Sequence, residues 1–178
     1  MARPSTLYRF KIDFSDIDRG LYESIDFRLA MHPSESLLFL MTRAIAFLLN
    51  FESALEFSAQ GLGDPDQAPL FIKDPRGGLL LWIEIGNPSA KRLHSASKAA
   101  QKVKVYTYKD PKLWFEEMKS SDIFQFDKIE VFSFQNDFLK ILSENLQRNN
   151  NWGILFQDST FSIQINDESI QGEITRHR

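Results

Sequence analysis

Glu84 is a carboxylate at the end of the most apolar stretch of the chain, directly after the run Leu79 to Ile83 and two residues before Gly86. A charged side chain in such a place carries a desolvation cost that requires a partner. One interpretation is a carboxylate at the exposed end of a strand, satisfied by backbone amides or by a nearby arginine. The other is a functional acid, because open α/β sheets bind ligands at that edge.

Glu35 is the second carboxylate of interest. The sequence predicts it in the first turn of a helix that begins at Pro33, where its charge would complement the helix dipole. This structural role is the interpretation that the residues alone favour. His32, just before it, is expected to be a turn or capping residue rather than a base.

A basic segment follows Glu84. Residues 91–112 carry seven basic side chains and one acidic side chain, although the whole chain has a net charge of −3. The helix predicted over residues 88–101 begins beside Glu84, and a helix N-terminus favours anions. Along one face, at steps of three and four residues, it places Lys91, His94, Lys98 and Gln101 or Lys102. Such a face is either simply solvated or a surface that binds an anion.

Several classes of chemistry are excluded by residues that the chain lacks. Without cysteine there is no disulfide framework, thiolate zinc site, iron–sulfur cluster or cysteine nucleophile. The sequence contains no dinucleotide-binding glycine motif, phosphate-binding loop or nucleophile elbow. The three histidines, at positions 32, 94 and 177, do not predict a histidine metal cluster. With no membrane-spanning run and no signal-peptide core, we expect a cytoplasmic protein without a membrane partner.

The elements that position these residues follow from hydrophobic periodicity, and 178 residues correspond to a single domain. Strict alternation over the first thirty residues predicts a hairpin around a turn at residues 15–20. Helices are predicted over residues 33–50, 88–101, 110–119 and 136–148; strands are predicted over residues 70–73, 79–85, 102–108, 129–134, 153–156 and 160–165. Strands that alternate with helices after an opening hairpin predict an α/β protein with a mixed sheet flanked by helices.

The order and spacing of several motifs resemble the YaeQ family of small bacterial proteins over essentially the whole chain. The most specific elements are His32-Pro33-Ser34-Glu35 and Trp82-Ile83-Glu84-Ile85-Gly86-Asn87-Pro88. The supporting elements are Tyr8, Ser15-Asp16-Ile17-Asp18-Arg19, Arg43, Gly61-Leu62, Lys91-Arg92, Tyr106-Thr107-Tyr108 and Gln157-Asp158. The resemblance implies a variant of the PD-(D/E)XK fold, the restriction-endonuclease-like core, with an N-terminal hairpin.

Active members of that superfamily hold Mg²⁺ with carboxylates and use a lysine to position the attacking water. By resemblance, Glu84 matches the acid of the third motif, Glu35 matches the helix acid, and Lys91 matches the basic position. An antiparallel register in which partner numbers sum to about 153 places Glu84 opposite Pro69, where family members commonly have an acid. Asp66 is then a weak substitute ligand. The acidic pair often found after the glycine–proline turn is replaced by Ser89-Ala90.

Three functions follow as hypotheses. The first is a Mg²⁺-dependent nuclease-like protein that acts on phosphodiester bonds through a degenerate metal site formed by Glu84, Glu35 and Asp66. The alternative is a non-catalytic module that binds nucleic acid or a protein through the basic helix 88–101. Its expected nucleic-acid contacts are Lys91, Arg92, His94, Lys98 and Lys102. The third is a protein–protein adaptor that uses the 16 phenylalanines, most of which fit core positions.

Overall fold

A computed structural model describes residues 4–59, 66–135 and 137–178, and its central feature is one ten-stranded mixed sheet. The strands are β1 (Thr6–Asp16), β2 (Leu21–Met31), β3 (Glu56–Phe57), β4 (Leu70–Lys73), β5 (Leu79–Ile85), β6 (Ala100–Thr107), β7 (Glu130–Phe134), β8 (Asn149–Gln157), β9 (Thr160–Ile165) and β10 (Glu168–Arg176). Their order across the sheet is β2-β1-β8-β9-β10-β7-β6-β5-β4-β3. The predicted mixed α/β class is confirmed.

Four α-helices accompany the sheet in the described ranges: α1 (Leu37–Leu49), α2 (Ala90–Ala99), α3 (Lys112–Ser120) and α4 (Phe138–Glu144). A single 3₁₀ turn, Phe126–Lys128, precedes β7. Over the same residues, no helix combines the length and the apolar character needed to cross a bilayer.

Both predicted hairpins are present. β1 and β2 pair antiparallel, and the alternation buries Phe10, Ile12 and Phe14 while the intervening positions stay at the surface or only partly covered. In the second hairpin Leu70 pairs with Ile83. The numbers of these two partners add up to 153, as the predicted register requires. Continuing the register by one residue places Glu84 opposite Pro69.

Both helices next to the candidate acids begin later than predicted, because serine hydroxyls cap them. Ser36 accepts a hydrogen bond from the amide of Phe39, and Ser89 accepts one from the amide of Arg92. Serine satisfies an unpaired amide of the first turn, which proline cannot do. The prediction that Glu35 lies in the first turn of a helix is therefore wrong: the residue precedes the cap.

Other boundaries also differ from the predictions. α2 ends at Ala99 rather than at residue 101, and β6 begins directly after it, two residues before the predicted start at Lys102. α4 ends at Glu144, before the predicted end at residue 148; the predicted start at residue 136 and the Gly61-Leu62 motif lie outside the described residues. β8 starts at Asn149 rather than at residue 153. β3 and β10 were not predicted.

Two hydrophobic clusters cover opposite faces of the sheet. One contains α1, α4 and the residues of β5 that point toward them, Leu81, Ile83 and Ile85. The other contains Trp82 of β5 together with buried residues of α2 and α3. Because successive residues of a strand point to opposite faces, Glu84 lies on the same face as Trp82.

Candidate functional site

The Glu84 carboxylate lies at the centre of a small polar cluster between β5 and α2. Its Oε1 atom accepts hydrogen bonds from the Nε1–H of Trp82 at 2.7 Å and from the Nε–H of Arg92 at 2.6 Å. Arg92 also donates to the carbonyl oxygen of Gln67 at 2.8 Å, and its guanidinium lies 5.7 Å from the centroid of the Trp82 ring. The arginine thus connects β5, α2 and the segment that leads into β4.

Burial governs the electrostatics of this cluster. Glu84 is only 3% exposed, and this burial raises the pKa of its carboxyl group; Arg92, Trp82 and the amide of Ile85 oppose that rise. Arg92 keeps a quarter of its side chain exposed. The pair therefore has a buried anionic end and a cationic end that reaches the surface.

An open groove of about 510 Å³ lies beside this pair. Among the described residues, its walls contain Asp66, Trp82, Ser89, Lys91, Arg92, Ser95 and Ala99. Two predicted site residues, Asp66 and Lys91, thus line the same groove, and Glu84 lies beneath it, joined to its walls through Arg92 and Trp82. Asp66 and Lys91 are both exposed.

Glu35 is not part of this groove. Its Oε2 atom accepts a hydrogen bond from Arg43 of α1 at 2.7 Å, and the same guanidinium nitrogen donates to the carbonyl oxygen of Ala30. Both side chains are almost completely buried, at 0% and 1% exposure. The pair belongs to the α1 face of the sheet, whereas Glu84 belongs to the α2 face. The structure does not bring the two carboxylates together.

The predicted nucleic-acid contacts also separate into groups. Lys91 and Lys98 are exposed on α2, and no ion-pair partner is found for either within the described parts of the chain. Arg92 is engaged by Glu84. The Nδ1 atom of His94 lies 3.2 Å from the Asp122 carbonyl oxygen and 3.3 Å from the Phe124 amide.

Lys102 lies apart from α2. Its ammonium group forms a 2.7 Å ion pair with Glu130 of β7. On β6, Lys102 shares the parity of Tyr106, whose ring belongs to the cluster on the α1 face. Lys102 therefore points away from α2, because the helix ends at Ala99 and the direction of the Lys102 side chain is set by the alternation of strand β6.

In the conformation described, the cluster around Glu84 is arranged as an ion pair rather than as a metal site. Mg²⁺ requires near-octahedral oxygen coordination, usually with one or two carboxylates and several waters. Here Glu84 already accepts two hydrogen bonds at Oε1, and the position opposite it is a proline. Within residues 4–59, 66–135 and 137–178, no group of three or more His, Asp or Glu side chains is placed to hold a metal ion.

Sequence reasoning identified Glu84 and anticipated an arginine partner as one alternative, but it did not identify Arg92 in that role or Trp82 as the second donor. Two signals were present. Trp82 precedes Glu84 by two residues on a strand, which places both side chains on one face, and Arg92 lies in the first turn of α2.

A mixed sheet with helices on both faces and a groove beside the start of a helix defines an α/β protein with a candidate binding groove. The family model described as "YaeQ protein" matches residues 1–174. The chain therefore belongs to the YaeQ family.

Relatives support this assignment along the full length. The chain is 26% identical over 177 residues to "Uncharacterized protein YaeQ" of Escherichia coli (strain K12), covering 98% of this chain and 97% of the relative. The protein of the same description from Salmonella typhi is also 26% identical over 177 residues, with the same coverage.

Two crystal structures are similar. The YaeQ protein from Xanthomonas axonopodis pv. citri superposes with a TM-score of 0.89, at 26% identity and 98% coverage of each chain. The YaeQ protein from Pseudomonas syringae gives a TM-score of 0.87 at 26% identity, covering 99% of this chain and 98% of the other. These similarities confirm the predicted family and the mixed α/β architecture.

Proposed function

We propose that this chain is a non-catalytic variant of the PD-(D/E)XK architecture that binds nucleic-acid phosphates in the groove along α2, without a metal ion. The observation that carries the proposal is the ion pair between Glu84 and Arg92 at 2.6 Å. A guanidinium stands at the carboxylate where an active relative of this architecture would hold Mg²⁺. The acid is thereby neutralised, so the pair carries no net charge, and Asp66 offsets Lys91 on the groove wall; the positive charge along α2 therefore comes from its exposed lysines.

The lysines of α2 supply the remaining charge. Lys91 lines the groove and Lys98 lies seven residues further along the same helix, so both project on similar sides of its axis. Both ammonium groups are exposed. Non-specific affinity for nucleic acids comes mainly from such contacts with phosphates. Ser89 and Ser95 add hydroxyl groups to the same wall.

The predicted protein-binding alternative receives less support from the phenylalanines. Many of them are buried in the cluster on the α1 face of the sheet, among them Phe10, Phe14, Phe138 and Phe161. Phe124 is one of the few large apolar residues with substantial exposure, at 42%. The exposed lysines of α2 beside the groove favour a polyanion over an apolar protein surface.

The test is fluorescence anisotropy with labelled single-stranded and double-stranded DNA and RNA over a series of salt concentrations. We expect binding that weakens with salt, and the double variant Lys91→Glu with Lys98→Glu to weaken it by an order of magnitude or more. The slope of log affinity against log salt on duplex DNA should fall by about 2, since each lost phosphate contact removes about 0.9.

A matched control changes the net charge equally at two exposed lysines away from the groove, Lys11→Glu with Lys128→Glu. If this control weakens binding as much as the α2 double variant, the effect is one of total charge and the groove is not the site. Absence of any salt-dependent binding to all four nucleic acids overturns the proposal.

The competing proposal, a Mg²⁺-dependent nuclease, is supported by the position of Asp66 and Lys91 around the same groove as Glu84. It requires Arg92 to leave the carboxylate. The same four nucleic acids are therefore incubated with Mg²⁺ or Mn²⁺ and the wild-type protein, Glu84→Gln or Arg92→Ala. Metal-dependent cleavage that Glu84→Gln abolishes would replace the binding proposal with the enzymatic one.

A further inference from the structure

A second cavity, of about 600 Å³, opens at the carboxyl ends of β6 and β7. Its apolar floor contains Leu38, Phe134 and Leu139, and its walls contain Tyr108, Ser133, His177 and the segment 109–112. The volume lies within the range of about 300–1,000 Å³ that is usual for small-molecule sites. The carboxyl ends of parallel strands are also where open α/β sheets commonly bind ligands.

A serine and a histidine meet in the wall of this cavity. The Ser133 hydroxyl oxygen of β7 lies 2.7 Å from Nε2 of His177, which follows β10. Ser133 is 9% exposed, whereas His177 reaches the surface. β10 and β7 hold the two residues together, because Thr175 is the antiparallel partner of Ser133. The pair thus offers a hydroxyl and an imidazole from rigid strands.

Three lysines from two elements surround the opening: Lys109 and Lys112 before and at the start of α3, and Lys140 on α4. In the described chain, no ion pair involves any of them. Two carboxylates, those of Asp110 and Asp137, share the wall, so three lysines and two acids leave the lining with one net positive charge. Asp110 also accepts a hydrogen bond from the backbone amide of Lys112 at 3.0 Å.

We propose that this cavity is a binding site for a small phosphate monoester, whose phosphate contacts the lysines, Ser133 and His177 and whose organic part rests on the apolar floor. A phosphate monoester carries close to two negative charges and three strong acceptor oxygens. Three ammonium groups supply donors from several directions, and the Ser133–His177 pair, which shares one proton in its own hydrogen bond, supplies one more. A carboxylate, with a single charge, would leave most of these donors unused.

The surroundings of His177 favour its neutral form in the free protein. Burial lowers the pKa of its imidazole, and Asp110 opposes that decrease. Lys109 and Lys112 from the β6–α3 segment, and Lys140 and Asp137 from α4, are the other charged groups around the cavity. A bound phosphate dianion would favour the imidazolium form, so it would raise the pKa of His177.

The proposal goes beyond nucleic-acid binding in the α2 groove and is independent of it, since none of the residues that line this cavity lines that groove. The loops of the two sites are neighbours. Asn87, which precedes α2, accepts a hydrogen bond from the Thr107 hydroxyl at 2.6 Å and donates to the Asp110 carbonyl at 3.3 Å.

The experiment uses nuclear magnetic resonance of the three histidine side chains, which are assigned by single substitution. Phenyl phosphate is the probe, because it combines the dianion with an apolar body, and benzoate is the monoanionic comparison. We expect phenyl phosphate to shift the His177 signal saturably and to raise its pKa, while the signals of His32 and His94 stay in place. Benzoate should bind about tenfold more weakly or worse, since it loses charge-assisted contacts.

The variant Lys112→Gln with Lys140→Gln should weaken phenyl phosphate binding by about tenfold or more. Ser133→Ala should also weaken binding, and the amide spectrum of this variant verifies that the fold is intact. The control is Lys11→Gln with Lys128→Gln, which removes the same charge elsewhere. An unmoved His177 signal, equal shifts of all three histidines, or equal weakening by the control overturns the proposal. Nucleic-acid affinity measured on the same variants keeps the two sites distinguishable.

Discussion

Glu84 and Arg92 form an ion pair of 2.6 Å that joins a buried strand to the helix following it. The pair has unequal ends, because the carboxylate is 3% exposed and the guanidinium 25% exposed. A buried carboxylate without its partner would carry an uncompensated desolvation cost. The arginine therefore has a structural role as well as the binding role proposed for the groove.

Substitution of Arg92 by alanine should destabilise the fold. Removing one partner of a buried pair costs about 3–5 kcal/mol, and the partial exposure of Arg92 places the expected loss at the lower end of that range. Urea unfolding of wild type and Arg92→Ala measures the loss. Adding Glu84→Gln to Arg92→Ala removes the buried charge and keeps the shape, so the double variant should recover part of the lost stability. If Arg92→Ala alone loses less than about 1 kcal/mol, water or another group satisfies Glu84.

The pair of Glu35 and Arg43 should contribute to stability but not to nucleic-acid binding. Both side chains are at most 1% exposed, so Arg43→Met should cost about 3–5 kcal/mol of unfolding free energy. The double variant Glu35→Leu with Arg43→Met should recover much of that loss, because it leaves no buried charge. The anisotropy of labelled DNA with Glu35→Gln should match wild type; a loss of binding in this folded variant would connect Glu35 with the groove.

Stability should depend on pH through His177. Burial lowers the pKa of this histidine in the folded protein below the ordinary value of 6.5. Between the two values the unfolded chain binds a proton that the native protein does not bind, so the unfolding free energy rises with pH through this window and levels off above 6.5. The comparison is urea unfolding of wild type and His177→Gln from about pH 5 to pH 8, because the difference between the two proteins isolates the contribution of His177.

In that comparison, the stability of wild type relative to His177→Gln should increase as pH rises toward 6.5. A relative stability that falls with pH over the same interval would mean that the native pKa is raised, and that Asp110 outweighs burial.

Gly172 should not tolerate a methyl group. A Cβ atom at this position would overlap the Phe138 ring of α4, and Phe138 is itself 2% exposed. Overpacking of this kind costs about 1–3 kcal/mol, so Gly172→Ala should lower the midpoint of urea unfolding. Gly153→Ala is the matched control, because its nearest neighbour there is the Gln164 Cβ atom at 3.8 Å. Equal effects at the two glycines would contradict the close packing of α4 on β10.

Local patterns predicted the two hairpins because their strands alternate strictly or form a continuous apolar run. The register of β4 on β5 was predictable from the position of the turn, and it correctly placed Pro69 opposite Glu84. Helix starts were less accurate. Pro33 and Pro88 suggested earlier starts, but the serine hydroxyls at positions 36 and 89 decide where each helix begins.

The rest depended on tertiary structure. β10 was not predicted because its apolar side chains are only Ile170 and Ile174, with Gly172 between them. A glycine is needed at that position because the Phe138 ring of α4 fills the space that a side chain would occupy. Which face a carboxylate occupies is equally non-local. Glu35 and Glu84 are both acids next to helix starts, yet α1 and α2 pack on opposite faces of the sheet, which local sequence does not reveal.

The parallel pairing of β1 with β8 has a consequence for the order of folding. Arg9 is the partner of Asn149, and Asp16 is the partner of Phe156, so the first hairpin completes its pairing only with a strand that is synthesised 140 residues later. Contacts of such long sequence separation slow folding, because loop-closure entropy is lost before they form. During synthesis the open edge of β1 remains unpaired while most of the chain emerges, and we expect this nascent stage to be the one most prone to aggregation.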